Sequence, residues 1–248
     1  NSTTEAIFLK IIDIHTHILP GVDDGAVDMQ EACQLVRMAR QDGTRVLFLT
    51  PHYRSDHGGY SPRRLQNIFL QLQEQVAREM PDMQLYLGTE IRFDSDVPEK
   101  VLQGEVLPMG SSNYVLLEFS RQALKLQILT GVSEMVRYGF TPIIAHAERC
   151  ETFCIFPDLV DEVRKLGGRI QINADSIMGA NGFVVKRLSH KLLKARKVHF
   201  VASDTHDGAN RPPLLNKCFL RVRKKYGEEY AAQVFYENAC SILQKKSE

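Results

Sequence analysis

Histidines and carboxylates stand at the ends of successive apolar runs in this chain. His15-x-His17 closes the run from Phe8 to Ile14, and His52 follows Val46-Leu-Phe-Leu-Thr50. Glu90 follows Leu85-Tyr-Leu87, Glu118 follows Tyr114-Val-Leu-Leu117, and His146 follows Ile143-Ile-Ala145. Asp204-x-His206 follows Val198-His-Phe-Val-Ala202. Imidazoles and carboxylates without thiols favour divalent metal ions. Such ions acidify bound water and neutralise charge on the oxygens under attack, which is the chemistry of hydrolysis.

Residues two apart on a strand share a face, so His15 and His17 can grip one ion, as can Asp204 and His206. Each group also has a plainer reading. An H-x-H pair can be two surface residues at a strand end. Asp23-Asp24, in the loop from Gly21 to Gly25, either supply a ligand or serve the turn itself. A buried carboxylate needs a partner, so Glu90 pairs with Arg92 and Glu118 with Arg121 if no metal is involved. Glu148 and Arg149 follow His146 closely. His15, His17, Asp24, His52, Glu90, Glu118, His146, Asp204 and His206 make nine candidate ligands. Nine exceed what one tetrahedral ion uses, so two or three ions of manganese, iron or zinc are expected. His57, in the loop from Tyr53 to Tyr60, reads as exposed or as a substrate contact from a lid. His190 and His199 read as structural.

The apolar runs, rich in Val, Ile, Phe and Tyr, read as buried strands, and helix-like segments alternate with them. Asp28-Met-Gln-Glu31 has capping-box spacing and Gly43 offers a stop, which predicts a helix between them. Ser61-Pro62 opens a second helix, with Leu65, Ile68, Phe69, Leu72 and Val76 inward. A third carries Leu124, Ile128, Val132, Met135 and Val136, and a fourth runs from Asp158 to Leu166. Gly167-Gly168 ends that helix before the strand Arg169-Ile-Gln-Ile-Asn173, and helices near 186–196, 213–226 and 228–243 complete the chain. Seven parallel strands, each followed by a helix, predict an α/β fold: a distorted TIM-like barrel with outer helices, its strand ends gathering the polar groups on one face. Residues 11–248 read as a single domain, with residues 1–10 as a tail and the start of the first strand.

With 44% hydrophobic and 25% charged residues the chain is ordinarily globular. A net charge of +1 argues against a nucleic-acid-coating surface, while leaving room for a local basic patch. No apolar run approaches the ~18 residues of a membrane span, so no membrane insertion is expected, and residues 1–6 lack the features of a signal peptide. Five scattered cysteines suit reduced thiols in the cytoplasm. Cys150 and Cys154 have no second pair nearby, which argues against structural zinc. No cysteine is followed six positions later by arginine, so a thiolate phosphatase loop is excluded.

Taken in order, these segments resemble a known family. Ile12-Asp-Ile-His-Thr-His-Ile-Leu-Pro-Gly-Val-Asp-Asp-Gly25 resembles the opening of the bacterial manganese-dependent protein-tyrosine phosphatases of capsule and exopolysaccharide synthesis, members of the polymerase and histidinol phosphatase (PHP) superfamily. Thr50-Pro-His52, Leu117-Glu-Phe-Ser120, Ile144-Ala-His-Ala-Glu-Arg149, Ala202-Ser-Asp-Thr-His206 and Arg211-Pro-Pro213 match as well. The resemblance implies the PHP fold and three divalent ions, most naturally Mn2+. By it, the nine residues above would be the ligands, Glu118 would bridge two ions, and Arg149 and Arg211 would contact phosphate. It further implies a phosphotyrosine-bearing bacterial tyrosine kinase of polysaccharide synthesis as partner. One departure is Cys150, where the family commonly has tyrosine.

On this reading the reaction is phosphotyrosine hydrolysis, with a hydroxide held between metal ions attacking phosphorus in line. The phenolate leaving group, with a conjugate-acid pKa of ~10, needs little acid assistance. Competing readings are a small-molecule phosphatase of the histidinol-phosphate type, an amidohydrolase, and a metal-stabilised binding module.

Overall fold

The computed structural model describes residues 11–53 and 61–244. Expectations for residues 1–10, for His57 and for the final residues lie outside that range. The described residues contain nine strands: β1 (Ile11–Thr16), β2 (Thr44–Leu49), β3 (His52–Tyr53), β4 (Gln84–Leu87), β5 (Glu90–Arg92), β6 (Tyr114–Glu118), β7 (Thr141–Ile144), β8 (Arg169–Asn173) and β9 (Phe200–Ala202). They form two parallel sheets, ordered β1-β2-β4 and β3-β5-β6-β7-β8-β9.

Nine strands rather than seven arise because two of the expected runs are each broken in two. The second run breaks at Thr50-Pro51, where proline offers no N–H to a ladder. The third breaks at Gly88-Thr89, where a Cβ on Gly88 would come within 2.9 Å of the Met109 sulfur. After each break the chain continues into the second sheet as β3 or β5. At the other seam, Thr16 forms a parallel bridge with Thr205. There His17 N donates to Thr205 O at 2.8 Å, and Asp204 N to His15 O at 3.0 Å.

Helix 29–42 starts as its spacing predicts. Asp28 accepts from Glu31 N at 2.9 Å, and Glu31 reaches back to Val27 N at 2.9 Å. Gly43 ends it in the left-handed region at φ 109°. Helix 62–79 follows Ser61, whose hydroxyl accepts from Arg64 N, and buries Leu65, Phe69, Leu72 and Val76. Helix 125–137 buries Ile128, Val132 and Met135, but Leu124 precedes the first turn and Val136 faces outward, so both are exposed. Short helices at 97–102, 151–155 and 174–178 carry too few residues to show a periodic signal.

Side chains of alternate strand positions, among them Ile12, Ile14, Val46, Phe48, Leu116, Ile143 and Phe200, pack together with Ala239 and Ile242 of helix 238–243. This apolar layer forms a floor beneath the strand ends. Two further clusters bury the outer faces of the strands against the helices. No helix among the described residues is long and apolar enough to cross a membrane.

Candidate metal centre

The polar groups at the strand ends converge. His15 is the penultimate residue of β1, and His17 follows the strand; His52 and Glu90 are neighbours on β3 and β5; Glu118 closes β6. His146 follows β7, while Asp204 and His206 follow β9. His146 and Asp204 both adopt positive φ, 32° and 57°. Such strain at two positions that aim polar groups inward is typical of functional sites. Gly25 makes room for the arrangement, since a Cβ there would lie 1.8 Å from His17 O.

Ligand-competent atoms gather into four overlapping groups: His17, Asp24, His52 and His206; His15, Glu90 and His146; His15, His17 and Asp204; and His52, Glu90 and Glu118. All nine residues named from the sequence are therefore together. Asp23 belongs to none of these groups. Its Oδ2 instead lies 2.7 Å from His17 Nδ1 and accepts from His52 N at 3.0 Å.

The imidazole tautomers follow from their partners. His15 Nδ1 lies 3.1 Å from Gln171 Oε1, and His17 Nδ1 faces the Asp23 carboxylate, so both Nδ1 atoms carry hydrogen. Their Nε2 atoms then face each other at 3.2 Å. Two lone pairs at that separation require a cation between them, a proton or a metal ion. Glu90 Oε2 is buried without a hydrogen-bond partner, yet it lies 3.0 to 3.3 Å from nitrogens of His15, His17 and His52. An oxygen surrounded in this way is suited to a shared cation.

The electrostatics agree. Burial alone lowers the His17 pKa, but hydrogen bonds to Asp204, Asp23 and Glu90 hold it well above the usual value. Burial likewise opposes charge on His146, and the Glu90 carboxylate overrides it to reach about 9. Glu90 and Asp204 are penalised by burial too, yet the surrounding imidazoles keep both well below the usual carboxylate range. A hydrogen bond with His206 lowers Asp24 in the same direction. These carboxylates draw cations, and protons compete with metal ions for the same atoms.

Asp204 divides its two oxygens. Oδ1 lies 3.4 Å from Nε2 of both His15 and His17. Oδ2 accepts from Asn173 Nδ2 at 2.8 Å, Arg149 Nη1 at 2.9 Å and Arg211 Nη2 at 2.5 Å. The two guanidiniums therefore stand side by side on the wall of a cavity of about 210 Å3, whose rim also carries Phe119, Arg121 and Cys150. A larger cavity of about 710 Å3 opens beside His199 and Tyr230, where no metal-competent group is found among the described residues. The cavity lined by metal-competent residues is the chemically meaningful one.

The arginine pairings set as alternatives to metal binding do not form. Arg92 reaches Glu118 at 3.3 Å rather than Glu90, and Arg121 makes no ion pair among the described residues. His190 and His199 are structural, meeting Tyr226 Oη at 2.6 Å and accepting from Ile170 N at 3.0 Å. Sequence reasoning missed Gln171 and Asn173, fully buried polar residues on β8 that hold His15 and Asp204. It also missed Asp13, whose carboxylate accepts from Ser203 and is raised by burial to about 6. The one available signal was polar alternation in Arg169-Ile-Gln-Ile-Asn173, which turns Gln171 and Asn173 to the same face.

The chain is similar to known proteins along most of its length. The tyrosine-protein phosphatase CpsB of Streptococcus pneumoniae is 32% identical over 238 residues, covering 94% of this chain and 98% of that protein. The tyrosine-protein phosphatase YwqE of Bacillus subtilis is 29% identical over 237 residues, covering 96% and 93%. Among solved structures, those of YwqE from Bacillus subtilis and CpsB from Streptococcus pneumoniae, described as unique metal-dependent tyrosine phosphatases, include a chain that superposes with a TM-score of 0.88. That match has 27% identity and covers 95% of this chain and 96% of the other. The profile of the capsular polysaccharide synthesis family matches residues 11–244. The chain belongs to that family, CpsB/CapC.

Proposed function

We propose that this chain is a metal-dependent protein-tyrosine phosphatase that removes phosphate from phosphotyrosine and so regulates capsule or exopolysaccharide synthesis. The observation that carries the reading is the facing pair of His15 and His17 Nε2 atoms, ringed by buried carboxylates and flanked by two arginines. Membership of the family and the names of its relatives support it. The overlapping ligand groups suit three divalent ions, Mn2+ foremost, held by His15, His17, Asp24, His52, Glu90, Glu118, His146, Asp204 and His206. Glu118 stands with His52 and Glu90 in one ligand group, and the family resemblance supports reading it as shared between two ions. We read the two sheets as one distorted barrel of the PHP type, with β2–β3 and β4–β5 as broken staves and residues 11–248 as one domain.

When bound, the ions supply acidified water and neutralise phosphoryl charge. The protein's own part is orientation. Arg149 and Arg211 each spend one donor on Asp204 Oδ2, which leaves the rest of each planar fork for phosphoryl oxygens. Asp23 and Gln171 fix the ring orientation of His17 and His15. Phe119, at the cavity rim, offers an apolar surface for the tyrosyl ring. The partner on this reading is a phosphotyrosine-bearing tyrosine kinase of polysaccharide synthesis, and the setting is the cytoplasm.

The test compares phosphate release by manganese-loaded protein from a phosphotyrosyl peptide and from histidinol phosphate at matched concentrations. Faster turnover of the peptide, lost in Glu118→Gln, is the expected result. Faster turnover of histidinol phosphate would move the protein to small-molecule metabolism.

A further inference from the structure

Helix 183–194 carries an apolar edge and a basic face that the other described residues leave uncovered. Phe183 and Val184, in its first turn, are 77% and 62% exposed. They line a groove of about 260 Å3 with Cys154, Pro157, Arg187 and Lys191. Between that cysteine and proline lie Ile155 and Phe156, themselves 67% and 55% exposed. Two large apolar side chains therefore line the groove, and two more are exposed on the segment that forms its other side.

Charge is gathered at the same place. The whole chain has 31 Lys and Arg against 30 Asp and Glu, and twelve of those cations fall between Phe183 and Tyr226. Arg211 among them lines the other cavity, and Lys197 and Arg223 pair with Asp161 and Glu228, which leaves nine. Helix 216–226 lies beside helix 183–194, with Tyr226 Oη 2.6 Å from His190 Nδ1. Burial, then the nearness of Lys225, Lys186 and Arg221, lowers the His190 pKa, which shows cations from both helices meeting there. Lys186, Arg187, Lys191, Lys194 and Arg221 have no ion-pair partner among the described residues.

We propose that this face docks on the surface of an anionic lipid bilayer without crossing it. The cations would meet headgroup phosphates while Phe183 and Val184 enter the boundary between headgroups and acyl chains. Cations alone would suit any polyanion. On a nucleic acid, however, the exposed apolar cluster would stay in water, whereas a bilayer surface accepts both components. The short helix 151–155 links the two regions in sequence, since it begins two residues after Arg149 of the metal-site cavity and carries Cys154 of the groove.

The experiment is co-sedimentation of the full chain with phosphatidylglycerol–phosphatidylcholine vesicles and with pure phosphatidylcholine vesicles. Three proteins are compared: wild type, the triple variant Arg187→Glu, Lys191→Glu, Lys194→Glu, and the double variant Phe183→Ser, Val184→Ser. Thermal melting checks that each variant is folded. Binding to anionic but not neutral vesicles is expected, weakened more than about a hundredfold by the triple charge reversal at roughly fivefold per charge. The double variant should weaken it by at least about tenfold with no change in net charge. No binding by wild type would overturn the proposal. Charge dependence without any effect of the double variant would also overturn it, marking a plain polyanion site. Sedimentation showing a wild-type dimer that the double variant dissociates would assign the face to a second copy instead.

Discussion

The Nε2 atoms of His15 and His17 face each other 3.2 Å apart while both Nδ1 atoms are engaged by Gln171 and Asp23. The fold holds two imidazoles in a geometry that requires a cation. Ligand binding to the folded state alone stabilises by about 4 kcal/mol at ~1,000 times the dissociation constant. For a chain of this size that is roughly a 10 °C rise in Tm. Melting in chelator and in excess Mn2+ should differ by about that amount. Equal melting temperatures would show that the cluster does not hold a metal.

Arg149 and Arg211 are the phosphate clamp in this account, and Asp204 Oδ2 is the point that aligns them. Either alanine substitution should lower kcat/KM by about 100- to 1,000-fold with bound metal retained. Arg149→Lys should recover little, because an ammonium cannot reproduce the planar fork. Since both guanidiniums share one carboxylate oxygen, the double variant should lose less than the product of the single losses. Losses below tenfold would remove the arginines from the site's chemistry.

Asp23 and Asp24 are neighbours with different tasks. Asp23 is buried against His17 Nδ1, whereas the half-open Asp24 faces His52 and His206 at 3.5 Å. Asp23→Asn should therefore weaken metal affinity by about 10- to 100-fold, although Asp23 is in no ligand group. Calorimetric titration of metal-free protein reads this directly. An affinity matching wild type would mean that the hydrogen bond to His17 is incidental.

His199 links stability to pH outside the candidate metal site. Burial, with Arg169 and Arg164 nearby, lowers its imidazole to about 3. In the unfolded chain it titrates near ~6.5, so between those values the unfolded state binds a proton that the folded state refuses. Its contribution is complete above ~6.5 and declines as pH falls toward 3, by about 1.4 kcal/mol per unit. Asparagine can accept the Ile170 N–H without titrating. Urea unfolding of His199→Asn should therefore lose stability less steeply than wild type between pH 6 and 5. Parallel curves for the two proteins would rule this out.

Much of this was legible in the sequence because the strands are continuous apolar runs that end in their functional residue. His15, Glu118, His146 and Asp204 all stand within two residues of a strand end. Less legible were features set by side-chain direction. Asp24 and not Asp23 stood among the nine candidates, but local sequence held no physical reason for that choice, because adjacent residues in a turn differ only in where they point. Nor could it show that Arg92 crosses from β5 to Glu118 on β6, since that pairing depends on register. The breaks at Thr50-Pro51 and Gly88-Thr89 split two expected strands for a tertiary reason, the passage from one sheet to the other.

The most direct test of the central claim is phosphate release from a phosphotyrosyl peptide by chelator-stripped protein during stepwise addition of Mn2+, with bound metal counted at each step. No turnover without metal, and full turnover as the third equivalent binds, is the expected result. Turnover that survives complete metal removal, or that never appears with the site filled, would contradict it.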